Sequence, residues 1–425
     1  MIEERLSISK RTSNRFLFMI GLGLVLLIVG IFITMNSAGQ HGGGHGEEHN
    51  AAAAGGHHAI TWVNRLFSNL WLNNVYFTGI AVIGLFFAAV QYVAYAGWSV
   101  PIKRILESLT AYLPLGGIIM LVVFLVGKHQ LFHWTDETLY ILGNPNYDPI
   151  LAGKHSFLNQ PFYLIRMVIF IGAWIFFAWW LRKQSLEEDL HGGLEYYHKS
   201  IRISAIFLVV FGVTSSMSAW DWVMTIDSHW FSTLFAWYVF ASWFVAGLAA
   251  TTLTAIYLKQ AGYLQLLNAN HLHDLGKFIF GFSIFWTYLW FSQFMLYWYA
   301  NLPEEVVYFQ ERLHGYNNHY TWVVFAVLFL NFAFPFLVLM TRDAKRQMIM
   351  LKIVCFVVLF GHWMDFYMMI MPGTLRGDSG FGFMEFGTLL IFLGAFLTFF
   401  TRRLASAPLV PVNHPFLEES VHHHV

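Results

Sequence analysis

The stretch Ile349–Met371 reads IMLKIVCFVVLFGHWMDFYMMIM. It exceeds the ~20 helical residues that cross a hydrocarbon core of ~30 Å, and only Lys352, His362 and Asp365 interrupt its apolar character. In lipid every backbone polar group must be satisfied within the segment, so a run this apolar is a helix. Nine similar runs lie around it: Phe16–Met35, Val75–Ala96, Ile105–Val126, Pro161–Leu181, Ile201–Ala219, Phe231–Leu258, Leu275–Ala300, His319–Met340 and Phe383–Thr401. The chain therefore reads as an all-α membrane protein of about ten transmembrane helices. Composition agrees, with 57% hydrophobic and only 11% charged residues, against about a quarter charged in soluble domains. A formal net charge of zero argues against a nucleic-acid partner.

The basic residues orient the chain. If the N-terminus is cytoplasmic, eighteen of the 24 Lys and Arg fall on inner segments, which is a clear positive-inside bias. Arg65, Lys128, Lys154, Arg166, Arg312 and Arg376 are left for the outer side. Both termini are expected inside, and the first run is expected to be retained as a span rather than cleaved. The single cysteine, Cys355, cannot form an intrachain disulfide, hold an iron–sulfur cluster or attach a c-type haem. Of the histidines, only His362 sits well inside a span, so no bis-histidine haem and no metal site is expected.

Five parts follow along the chain: residues 1–35 as cytoplasmic N-terminus and first span, 36–74 as an outer loop and interfacial helix, 75–230 and 231–382 as two four-helix bundles in parallel repeat, and 383–425 as the last span and cytoplasmic tail. The Gly-rich stretch from His41 to His58 is expected to be a solvated linker, since such sequence buries no core. Ile60, Val63, Leu66, Phe67, Leu70 and Trp71 share one helical face, which predicts an amphipathic helix lying in the outer interface. The repeat rests on matching directions and on two short strings, Phe207–Gly212 and Phe356–Gly361.

Ionisable groups in or beside a membrane are costly and so are functional candidates. His362 and Asp365 lie three apart on one helical face inside the ninth run. Asp221, Asp227 and His229 crowd the outer end of the fifth, though capping and snorkelling would explain them equally. Glu304 and Glu305 open the loop after the seventh run, and Glu385 lies near the outer end of the tenth. These eight are the proton-transfer candidates, with Asp221, Asp227, His229, His362 and Asp365 expected to form one cluster near the outer face. Gln293, which can donate and accept, Arg166 and His129 are further candidates, for hydrogen-bonding a ligand. The inner half offers hydroxyls such as Thr251, Thr252 and Thr254, which suit helix packing or a water file.

Two runs carry a resemblance: WDWVMTIDSHWFST, Trp220–Thr233, and FSQFMLYWYANLPEE, Phe291–Glu305. They resemble the second NrfD-like integral-membrane subunit of alternative complex III, a bacterial quinol:cytochrome c oxidoreductase. The resemblance spans nearly the whole chain and extends to the ten-span layout. It implies a bacterial cytoplasmic-membrane location and partners comprising a sister NrfD-like subunit, c-type haem subunits and an iron–sulfur subunit. It also implies that haem c and the clusters reside in those partners. The family's better-supported quinol site is in the sister subunit. That leaves this chain a second quinol or quinone site, with Gln293, Arg166 and His129 as its candidates, or proton transfer, or bracing of the complex. A secondary transporter or a plain membrane anchor remains as an alternative; Pro114 and Pro335 do not fall in corresponding spans, as broken transporter helices tend to. Protease digestion of sealed vesicles is expected to cut the C-terminal tail from the cytoplasmic side only; cleavage from the outer side would invert the topology.

Overall fold

From Thr61 onward the chain does not lie in an interface. Thr61 Oγ1 donates to Asn64 Oδ1 at 2.8 Å and its N–H reaches the same oxygen at 3.2 Å, and the helix begun there continues unbroken from Trp62 to Val93. The expected amphipathic segment is thus the first turns of the second span, with Ser68, Asn69, Trp71 and Leu72 buried. Its polar face meets protein instead of headgroups. The computed structural model describes residues 4–40 and 61–424; the His/Gly-rich stretch His41–His58, and Ile60, lie outside them.

Among the described residues ten helices are long and apolar enough to cross a membrane: Lys10–Asn36, Trp62–Val93, Gly97–Leu131, Gln160–His191, Leu194–Trp222, Leu234–Gln260, Ala269–Ala300, Thr321–Val338, Met348–Asp378 and Phe383–Ala405. The second to fifth pack in a closed ring, and so do the sixth to ninth. The second span joins the rings by packing against the sixth and ninth as well as its own set. Its most apolar window is 89% buried, against 11% in the first span. Matching helices of the two rings run the same way. The short strings behind the repeat differ in setting, however: Gly212 faces open space, whereas Gly361 lies against Asn331.

Both ends of the described chain meet at one face, called the terminal end below. Glu4 C=O accepts from Leu409 N–H at 2.8 Å and Glu4 Oε2 from Leu264 N–H at 2.9 Å. The tail folds back over this face, with Asn413 Nδ2 on Asp189 C=O at 2.8 Å and His423 Nε2 on Asp274 Oδ2 at 2.6 Å. It is therefore engaged within the chain and not held out as a docking segment. The opposite, distal face carries the connections 132–159, 223–233, 301–320 and 379–382. There the chain after the seventh span folds back as a helix, Pro303–Leu313, that packs between the seventh, eighth and ninth spans.

Two local features have sequence causes. Pro335 lacks an N–H and would crowd the carbonyl four residues earlier, that of Asn331; the eighth span widens to a π-helix over Phe329–Ala333, which takes up the misfit. The first and tenth spans close on glycines: a Cβ at Gly23 would sit 2.7 Å from Gly387 C=O, and one at Gly387 would sit 2.6 Å from Leu27 N. Small residues at such a seam let backbones pack directly, the main source of helix association in lipid. Gly387→Val is expected to cost ~1–3 kcal/mol by overpacking and to loosen the first span, read as lost cross-linking between cysteines introduced on the two helices.

Candidate functional site

Asp365 is wholly buried in the ninth span, and three neutral donors converge on it. Tyr238 O–H, from the sixth span, makes a short hydrogen bond to Oδ1. Ser242, one turn further along, donates to Oδ2 at 2.8 Å, and the Trp286 indole N–H of the seventh span reaches the same oxygen at 2.9 Å. Ser242 Oγ also lies 2.9 Å from His362 Nδ1. A hydroxyl has one proton to give. With that proton on Asp365, His362 Nδ1–H must donate to Ser242, which leaves Nε2 as the open nitrogen of the neutral ring. Asp365, Ser242 and His362 thus form a hydroxyl-bridged acid–imidazole relay, its two ends 3.9 Å apart.

The relay opens on the distal side into a narrow cleft with a cavity volume of about 30 Å³. Phe235, Trp290, Tyr308 and Phe309 give it flat apolar walls, while Gln293, Tyr238, Arg312 and Asp365 supply polar groups. Gln293 is buried but loosely held, its nearest partners Ser232 Oγ and Leu289 C=O both at 3.4 Å. Arg312 comes from the folded-back helix Pro303–Leu313. It donates to the carbonyls of Met368 at 3.0 Å and Met369 at 3.2 Å and to Asp227 Oδ2 at 2.8 Å, and lies 3.4 Å over the Tyr308 ring. Beside it, burial and the Asp227 charge push the Glu311 carboxyl above its ordinary value.

The remaining expected residues do not join one cluster. Asp221 pairs with Arg166 in the first ring, Nε to Oδ2 at 2.7 Å and an NH2 group to Oδ1 at 3.0 Å; Arg166 also donates to Phe157 C=O at 3.0 Å and stacks on the Phe157 ring. Arg166 is thus engaged with Asp221 and the Phe157 carbonyl, and it does not line the cleft. Glu385 is held by Arg65 at 2.7 and 2.8 Å, Asn69 at 3.0 Å and Gly382 N–H at 2.9 Å. His229, half-exposed, meets Asp148 at 2.5 Å. Burial raises the Asp148 pKa, but the His229 hydrogen bond and the N–H groups of Leu151 and Ile150 outweigh it and hold the carboxyl below its usual range. Glu304 and Glu305 stand on the first turn of the folded-back helix, and Glu305 touches the rest through its carbonyl, which accepts from Trp230 Nε1 at 3.2 Å. His129 is exposed and bonds Thr135 at 3.1 Å, away from the cleft.

The terminal end also departs from expectation. Thr251, Thr252 and Thr254 each donate to a carbonyl four residues back at 2.8 Å, so they satisfy their own helix and line no water file. Instead a buried charged group gathers there: Lys103 on Glu188 at 3.0 Å, Arg104 on Glu107 at 2.7 Å and on Asp189, and Arg182 on Glu107 at 3.5 Å. Over it, burial and the nearby Lys103 and Arg104 push the His414 ring down to about 2. Tyr238, Ser242, Trp286 and Arg312 were not singled out by sequence. Arg312 stood out only as an outer basic residue, and the other three look like any interfacial or helix-packing residue.

No protein-family model matches this chain, and no curated protein matches it. Arg166→Ala is expected to cost ~3–5 kcal/mol, because it strands the Asp221 charge in the span, and Arg166→Met with Asp221→Leu to recover most of it. Thermal unfolding in detergent would check both; an unchanged midpoint for the single variant would show the pair to be dispensable.

Proposed function

We propose that this chain is an integral-membrane subunit of a quinol:cytochrome c oxidoreductase of the alternative complex III type, and that the cleft at Asp365 is where quinol gives up protons. The observation that carries this is the cleft itself, an apolar aromatic slot whose polar wall is a buried carboxylate tied to a serine-bridged histidine. Quinol oxidation releases two protons and two electrons. A ring hydroxyl that hydrogen-bonds Tyr238 Oη hands it a proton as the tyrosine passes its own to Asp365, the second proton follows the same way once Asp365 has passed on the first, and Gln293 orients a ring oxygen. A buried acid poised by fixed donors is what general-base chemistry needs. The electrons leave to haem and iron–sulfur centres of partner subunits.

Asp227, Arg312 and the raised Glu311 lead from the cleft to the distal face, which the positive-inside bias makes the outer one. Proton release is then outward, and both termini are cytoplasmic. Quinol reaches the cleft from the bilayer beside the seventh and eighth spans, where Tyr288, Phe291, Trp298, Trp322 and Phe325 are exposed. The Arg166–Asp221 and Arg65–Glu385 pairs, which tie separate helices together, support a bracing role for the first ring and the tenth span, which also suits docking of the sister membrane subunit. Matching helix directions in the two rings are parallel repetition and weigh against the inverted repeats common among secondary transporters.

In the complex purified in mild detergent, Asp365→Asn is expected to lower quinol-dependent cytochrome c reduction by ~10²–10⁴-fold, and Gln293→Ala to raise the KM for quinol. Full turnover of Asp365→Asn with an unchanged pH profile would sink the cleft as the proton acceptor. Purification of the chain without haem-bearing partners, repeated under milder extraction, would sink the assignment to such a complex.

A further inference from the structure

We infer that the π-helical break of the eighth span builds a binding site for one or more water molecules, held among Asn331, His362 Nε2 and Ser283 Oγ, that continues the Asp365 relay toward the terminal end. The site itself stands apart from the quinol reading; its use as a proton path rests on that reading.

Asn331 is the one polar side chain of the π-helical segment Phe329–Ala333. It is fully buried, and neither its amide oxygen nor its amide nitrogen has a protein partner. Such an amide is costly in apolar surroundings, and a leucine or phenylalanine like its neighbours would avoid the cost. Its oxygen lies against Gly361, where a Cβ would sit 2.1 Å away, and Gly361 adjoins His362. His362 Nε2, the open nitrogen of the relay, is buried without a protein partner. Ser283 Oγ is a third such atom, one turn toward the terminal end from Trp286, whose indole meets both the His362 ring and Asp365. The π-helical segment packs on the seventh and the ninth spans, which carry these residues.

Three adjoining elements therefore each present unbonded polar atoms, two donors or acceptors on the amide, one nitrogen and one hydroxyl. A buried water makes two to four hydrogen bonds to such groups, and it can donate to Nε2 while accepting from the amide N–H. A cation would need carboxylates or several neutral ligands, and among the described residues no group of three His, Cys, Asp or Glu side chains surrounds such a point. Where Nε2 would otherwise end the relay, a water there gives it a partner that can both give and take a proton.

The test is a cryo-electron-microscopy map of the lipid-embedded protein, fine enough to show ordered water, together with the unfolding midpoint of Asn331→Leu. Density within hydrogen-bond distance of both the Asn331 amide and His362 Nε2 is expected. Asn331→Leu is expected to lower the midpoint, since it takes a partner from the water and strands Nε2 and Ser283. If Asn331→Leu does not assemble, Ser283→Ala is read the same way. A map with the Asn331 amide bonded directly to His362, or a midpoint raised by removing an unsatisfied amide, overturns the site. Neither readout uses turnover, so the water site and the quinol cleft can fail separately.

Discussion

An unpaired polar group in a hydrocarbon medium is expensive, and the second span shows how this chain meets that constraint. Asn69, Asn73 and Asn74 are buried on it, yet each is bonded across to another helix. Asn69 reaches Glu385 and Asn73 reaches Thr388 of the tenth span, Trp363 of the ninth donates to Asn73, and Asn74 takes Tyr112 and gives to Gly116 of the third. Trp71 adds the Trp222 carbonyl of the fifth at 2.7 Å. Because a hydrogen bond is directional, this ladder sets the depth and rotation of the helices around the second span, which apolar packing alone would leave free to slide.

Buried carboxylates are met in two ways. In the first ring and at the terminal end charge meets charge, as in Arg166–Asp221 and the Lys103, Arg104, Glu107 and Glu188 group, although Arg104 Nε and Glu188 Oε1 keep no partner. In the second ring Asp365 is met by neutral donors. Asp365 has three donors but no cation within hydrogen-bond distance, Gln293 is held at long range, and His362 and Asn331 keep free atoms facing the interior. A membrane protein tolerates such loose ends where a ligand or water completes them.

Part of this was legible in the residues. The spacing of His362 and Asp365 places them on one face of a helix too apolar to let them reach water, and that alone marks the centre. Gln293 was legible for the same reason. Asp221, Asp227 and His229 looked like company for them because they share a depth, but depth is one coordinate of three: the three side chains turn to Arg166, Arg312 and Asp148 respectively. The segment from Val63 to Trp71 looked interfacial because its polar residues face one way, and an alternating face of that kind reads the same whether it meets water or another protein surface.

The sequence by itself determined the number of spans, the parity that puts both termini at one end, and the identity of the most expensive buried carboxylate, because hydrophobic length and the cost of burying charge are local properties of a segment. Only the tertiary structure decided who satisfies whom. Tyr238, Ser242, Trp286, Arg312 and Asn331 come from four different segments, and each is ordinary in its own. Tyr238, Ser242 and Trp286 meet Asp365, Arg312 meets Asp227 and Asn331 lies against Gly361 only because packing rotates their helices so, and helix rotation is a property of the whole bundle that no single segment encodes.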